Sequence, residues 1–297
     1  MDGSGKIQPL LAKPGTYNTP RFSPDGNWLA LSVTGGKGTD LYLYDWHHDT
    51  MPRLTFNAKG SSLPTWTPDA KHIAFATPDG LWWVRADGAG EPLQLLESRN
   101  PIFPNSFSPD AKRLAYAETT AQTRTDILTL PLDMSDSEHP KPGKPESFLS
   151  TPAAESFGIF SPDGRWIAYA SDESGQPEVY VRPFPGPGGK WQISTGGGLV
   201  SVWSRDGHEL FYVSLDDRIM VADYTAKGDS FSYSKPRLWS DMQIFEAGGR
   251  RFFDLAPDGK RFAVFPRPDL SEEKQGNVHI TFLLNFPDEL RRRVPGK

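Results

Sequence analysis

Phe22-Ser23-Pro24-Asp25-Gly26, followed by the alternating run Trp28-Leu29-Ala30-Leu31, decides the fold because it recurs. It returns as Trp66-Thr67-Pro68-Asp69-Ala70, Phe107-Ser108-Pro109-Asp110-Ala111 and Phe160-Ser161-Pro162-Asp163-Gly164. Two further copies are degenerate: Trp203-Ser204-Arg205-Asp206-Gly207 and Leu255-Ala256-Pro257-Asp258-Gly259. Successive aspartates lie 44, 41, 53, 43 and 52 residues apart, the period of a repeat protein with insertions. Each unit encodes a β-turn: proline presets φ, aspartate bonds the backbone ahead of it, and glycine accepts φ > 0 at the exit. Ala70 and Ala111 break the glycine rule, so those two turns are expected to be strained or of another type.

Each turn is followed by a strictly alternating strand, as at residues 28–31, 72–75, 113–116, 166–169, 209–212 and 261–264. A second strand follows at 41–46, 81–86, 126–130, 178–184, 218–224 and 279–285, and a third, shorter one at 53–56, 92–96, 147–150, 190–194 and 236–240. With the strand entering each turn, that makes four per unit. The pattern predicts an all-β chain: a six-bladed β-propeller of four-stranded antiparallel blades, one domain over residues 1–297. The blades fall at 17–56, 62–97, 103–150, 156–194, 199–240 and 251–285. The last has no fourth strand of its own, and residues 6–11 are expected to complete it and close the ring, removing exposed sheet edges. Helical periodicity is confined to a short C-terminal helix around Pro287-Asp288-Glu289-Leu290.

Composition narrows the function. The 28 glycines and 28 prolines suit many short strands, and aromatic residues at 12% supply a large core. A net charge of −5 argues against a nucleic-acid partner, which needs a clustered basic face; Arg291-Arg292-Arg293 reads as a solvated helix end. There is no cysteine, hence no disulfide and no thiolate metal site. No stretch approaches a membrane span and the first residues show no targeting signal, so the chain itself is expected to make no membrane contact.

The motif resembles the TolB-type (WD-like) propeller repeat. More narrowly, the chain resembles the C-terminal propeller of bacterial, acidobacterial-type, membrane-anchored serine/threonine kinases. The residues that carry this are Pro20 to Gly26, Tyr180-Val181-Arg182-Pro183-Phe184-Pro185, Trp191-Gln192-Ile193-Ser194-Thr195-Gly196-Gly197-Gly198, Glu209-Leu210-Phe211-Tyr212, and Leu284-Asn285-Phe286 with Glu289-Leu290. The resemblance implies an upstream kinase and membrane helix, a periplasmic or extracytoplasmic propeller, and a chain that is a piece of a longer protein. The implied role is a non-catalytic sensor, monomeric, taking an unknown protein or small-molecule ligand, with no cofactor. The alternatives are a TolB-like protein-docking scaffold or a propeller enzyme, a lyase or lactonase with a metal in its channel.

The residues show no kinase signature and no G-x-S-x-G elbow. Thr195-Gly196-Gly197-Gly198 lacks the lysine and following helix of a phosphate loop and reads as a flexible connection. Asp45-Trp46-His47-His48-Asp49 is a local set that could hold a metal, against a plain surface turn. Propellers bind where the inter-blade entries meet the channel. There Tyr17, Phe103 and Phe157 are expected to give apolar contact, and Asn18, Glu155, Arg250 and Arg251 to orient a polar ligand. Each could instead only fill the channel or pack blades. Aligned on the motif, Arg251 falls level with Asn18, Ser62, Phe103, Ser156 and Leu199, which would put one positive charge at the mouth for a carboxylate or phosphate; a salt bridge to Glu155 or Asp254 is the opposing reading. A channel enzyme would need acids on the axis, and the entries offer Glu155 and Asp254.

Overall fold

The hydroxyl of the repeat locks five of the six turns; the sixth has Ala256 in its place. In the computed structural model, Ser23 Oγ donates to Asp25 Oδ1 at 2.5 Å and accepts from Trp28 N at 2.9 Å, while Gly26 N closes on Ser23 O at 3.0 Å. The same bonds recur from Thr67, Ser108, Ser161 and Ser204 to the aspartate two residues on. Ala70 and Ala111 sit at φ 60° and 59°, beside 79° for Gly26 and 70° for Gly164. All these turns are therefore of one type, and the alanines carry the strain.

The structure describes residues 1–3, 6–10, 15–36, 38–56, 60–121, 123–244 and 252–265. Blade 1 is β1 (Thr16–Phe22), β2 (Trp28–Gly35) and β3 (Gly38–Asp45). Blade 2 is β4 (Ser62–Trp66), β5 (His72–Thr77), β6 (Gly80–Arg85) and β7 (Leu93–Glu97). Blade 3 is β8 (Ile102–Phe107), β9 (Arg113–Thr120) and β10 (Arg124–Asp133), whose outer edge pairs with both β11 (Lys141–Pro142) and β12 (Glu146–Leu149). Blade 4 is β13 (Glu155–Phe160), β14 (Trp166–Ser171), β15 (Glu178–Pro183) and β16 (Trp191–Gln192). Blade 5 is β17 (Ser201–Trp203), β18 (Glu209–Val213) and β19 (Arg218–Lys227), paired with β20 (Ser230–Tyr233) and β21 (Arg237–Gln243). β22 (Phe253–Leu255) and β23 (Phe262–Val264) form a two-stranded ribbon.

This corrects the six-bladed expectation. Among the described residues the molecule is an all-β propeller of five blades, with the ribbon where a sixth would stand and no helix. Residues 279–285 and the helix expected at 287–290 lie outside the described residues, as does Leu11. Residues 6–10 form no strand. Pro9 has no N–H to give a ladder, and Ile7 and Leu10 are exposed. Met1 and Asp2 pair with the ribbon instead: Met1 N donates to Phe262 O and Phe262 N to Met1 O, both at 2.8 Å, with Asp2 bridged to Arg261. The expected fourth strand of blade 1 shrinks to a bridge between Tyr42 and Arg53.

Apolar clusters lie between blades, so the central strands are buried on both faces. Leu41, Trp66 and Phe75 fill the junction of blades 1 and 2; Trp83, Phe107 and Tyr116 that of blades 2 and 3; Trp166, Trp203 and Phe231 that of blades 4 and 5. Two motif aromatics also reach back a blade: Trp66 Nε1 donates to Arg21 O at 3.0 Å, and Trp203 Nε1 to Ile159 O at 3.2 Å. The innermost strands stand side by side, β1 by β4, β4 by β8, β8 by β13, β13 by β17, and β22 by β1.

Candidate functional site

Four innermost strands break register about two residues in from their entry: between Asn18 and Arg21, Ser62 and Thr65, Pro104 and Ser106, and Ser156 and Ile159. At three of these bulges a side-chain-bearing residue takes a left-handed conformation: Thr19 (φ 48°), Leu63 (58°) and Phe157 (57°). A bulge bends its strand and re-aims side chains, at a cost that the surrounding sheet must cover. Here the four bulges open onto one cavity of about 540 Å³.

Two layers form its wall. Asn18, Ser62, Phe103, Ser156 and Leu199, the positions the motif alignment makes equivalent, all line it. Around them stand hydroxyl pairs: Thr19 with Ser32 at 2.7 Å, Thr34 with Thr39 at 3.0 Å, and Thr119 with Thr125 at 3.0 Å. Phe103 and Phe157 supply the aromatic surface, Phe103 being 37% exposed. Among the described residues one ionisable side chain lines the cavity, Arg21; it is buried, and its Nη1 donates to Pro20 O at 2.5 Å.

Among the residues singled out by sequence, Asn18, Phe103 and Phe157 thus come together at the cavity. Tyr17 does not line it and packs beside Leu29, Leu31 and Tyr44 in blade 1. Glu155 is buried away from the lining; its carboxylate takes the Thr151 hydroxyl and N–H, and burial raises its pKa above the ordinary glutamate value. Asp254 Oδ2 accepts from Phe22 N at 2.8 Å, tying the ribbon to blade 1. Arg250 and Arg251 lie outside the described residues. The threonine pairs and Arg21 escaped sequence reasoning. Their signal is slight: hydroxyl residues such as Ser32 and Thr34 end a strand whose earlier positions are apolar.

Two other sequence candidates are satisfied by the chain's own groups. Asp45 accepts from His47 N at 2.8 Å and His48 Nδ1 at 2.7 Å, making a surface turn, and no group of three acids or histidines fit to hold a metal occurs among the described residues. The glycine run is an ordered nest. Gly196 N and Gly197 N, at φ 93° and 105°, donate to Glu178 Oε1 at 3.0 and 2.9 Å, while Ser194 Oγ donates to Oε2 at 2.5 Å. Successive N–H groups in such a curve form an anion site, and the chain's own buried Glu178 fills it.

No family model matches the chain. The uncharacterized peptidase YuxL of Bacillus subtilis is 28% identical over 171 residues, which is 54% of this chain and 24% of the peptidase; the chain spans about a quarter of that relative. A solved structure assigned as a TolB from Agrobacterium tumefaciens superposes with a TM-score of 0.59 at 19% identity, covering 86% of this chain and 92% of that one. Oligogalacturonate lyase from Vibrio parahaemolyticus gives 0.56 at 14% identity, covering 83% and 71%. At these identities the likeness is one of fold: a TolB-like β-propeller.

Proposed function

We propose that this chain is a non-catalytic recognition propeller that takes its ligand at the channel mouth. The observation that supports this most is the cavity wall, built of paired hydroxyls, amides and two phenylalanines on bulged strands. Such a lining fixes orientation by hydrogen bonds and carries little that would drive proton transfer or nucleophilic attack. Phe103 and Phe157 give apolar contact and Asn18 orients the ligand. The resemblance of the 180–185 and 191–198 segments to kinase-associated propellers supports an extracytoplasmic sensor region of a receptor-like serine/threonine kinase. Capture of partners on the immobilised chain, wild type against Phe103→Ala, tests the reading. Binding lost in the variant is expected; binding indifferent to the mouth residues sinks it.

The likeness to a peptidase and a lyase favours a second reading, an enzyme working in the same channel. Arg21 would then be its principal charged group. Incubation with peptides and with polygalacturonate decides: turnover that copurifies with the protein and disappears in Arg21→Ala would replace the recognition reading.

A further inference from the structure

We infer that the ligand of the channel mouth is an uncharged carbohydrate, a short oligosaccharide stacked on Phe103; this rests on the recognition reading above. The chemistry of the wall selects the class. In each threonine pair one hydroxyl donates to the other, which leaves the pair with one outward O–H donor and spare lone pairs. Such ambivalent groups match sugar hydroxyls, which also donate and accept. Two pairs, Thr34 with Thr39 and Thr119 with Thr125, stand on the strand-two-to-strand-three hairpins of blades 1 and 3, with Asn18 and Ser62 between them on the inner strands. Phe103 is exposed enough to offer a ring face, and a sugar ring pairs a polar rim with an apolar C–H face.

The competing classes fit less well. A multivalent anion calls for several convergent cations, whereas among the described residues the lining holds one, Arg21, buried and donating to Pro20 O. An extended peptide adds to a regular strand edge. Here four of the innermost strands, β1, β4, β8 and β13, are each interrupted by a bulge at the mouth. A volume near 540 Å³ lies within the range of small-ligand sites, about 300–1,000 Å³.

Saturation-transfer NMR and thermal shift with cellohexaose, maltohexaose and chitohexaose test the inference, with trigalacturonate as the acidic arm. At least one neutral sugar is expected to raise the melting temperature and show transfer from aromatic protons. Phe103→Ala should leave the ligand-free melting temperature unchanged and weaken binding about tenfold or more. Thr119→Val with Thr125→Val should weaken it independently. Three results overturn the inference: no neutral sugar binding at millimolar concentration, binding by the uronate alone, or binding that survives both variants. If sugars fail while a captured protein still needs Phe103, the recognition reading stands and only the ligand class is wrong. If no partner of any kind needs Phe103, both fall.

Discussion

At the scale of single residues, the repeat turn is a small device whose parts differ in value. Its exit position is left-handed throughout, so an alanine there is strained where a glycine is not. Ala70→Gly and Ala111→Gly should each stabilise the chain by about 0.5–1 kcal/mol in urea unfolding, despite the added entropy of the unfolded glycine. Gly164→Ala should be worse than simple reversal, because a Cβ there would meet Pro109 Cδ at 2.9 Å. A neutral or stabilising Gly164→Ala would show that the turn yields more easily than its geometry implies. The aspartates add a pH dependence. The serine hydroxyl bond, followed by backbone N–H bonds, holds Asp110 and Asp206 below the ordinary carboxylate pKa. A carboxylate depressed in the folded state stabilises fully above its unfolded pKa, about 3.9, and loses that contribution as pH falls through the folded value. Stability should therefore drop as pH falls below about 4, and Asp110→Asn with Asp206→Asn should lose less over that fall. Parallel curves for wild type and variant would exclude these turns as the source.

Among elements, the outer half of each blade holds the surprises. The glycine run after β16 looks flexible in sequence, yet it folds around Glu178, the first residue of β15. A related clasp occurs in blade 1, where Thr55 Oγ1 donates to Asp40 Oδ1 at 3.0 Å and accepts from Leu41 N at 3.0 Å. In both, an acid near the start of the third strand is gripped by a hydroxyl on the segment that returns along that strand's outer edge. Glu178→Ala would leave two backbone N–H groups and a serine without their acceptor, and should cost about 2–4 kcal/mol. Because the emptied nest retains its anion-binding geometry, acetate should restore part of the loss. A cost below about 1 kcal/mol would mean that water replaces the carboxylate without penalty. The turns and second strands were legible in sequence because proline, glycine and strict alternation are local signals. The clasps were not, since they join residues 15 or 16 apart through side chains. The candidate site was half legible: the motif alignment located Asn18, Phe103 and the equivalent positions, whereas the hydroxyl pairs form across hairpins. Tyr17 misled because the bulge begins one residue later, leaving its ring with the blade core.

Over the whole molecule, a propeller holds each blade by two neighbours, so its weakest seam limits the ring. The repeat count suggested six blades because every motif looks alike locally, but a motif specifies a turn and not the number of strands hung on it. Among the described residues, what stands between blade 5 and blade 1 is the ribbon, two strands of three residues. Its buried apolar residues, Phe253, Leu255 and Phe262, share one cluster with Phe211 of blade 5, and Met1 packs against that cluster. The polar ties are correspondingly important. Phe22 N donates to Asp254 Oδ2, and Arg205, standing where most motifs have proline, donates across the gap to the carbonyls of Ser23 and Pro24. Burial disfavours the arginine's charge while Asp254 and Asp25 favour it, so removing Asp254 should weaken both ties. Amides of β22 and β23 are therefore expected to exchange with solvent through local opening well below the global unfolding free energy, unlike those of β9 or β14. Asp254→Ala should speed exchange in the ribbon and in β1, by about tenfold or more, and leave β9 unchanged, because lost bonds act on the elements they join. Uniform acceleration across all blades would show that the ring opens as one cooperative unit and that this seam is no weaker than the rest.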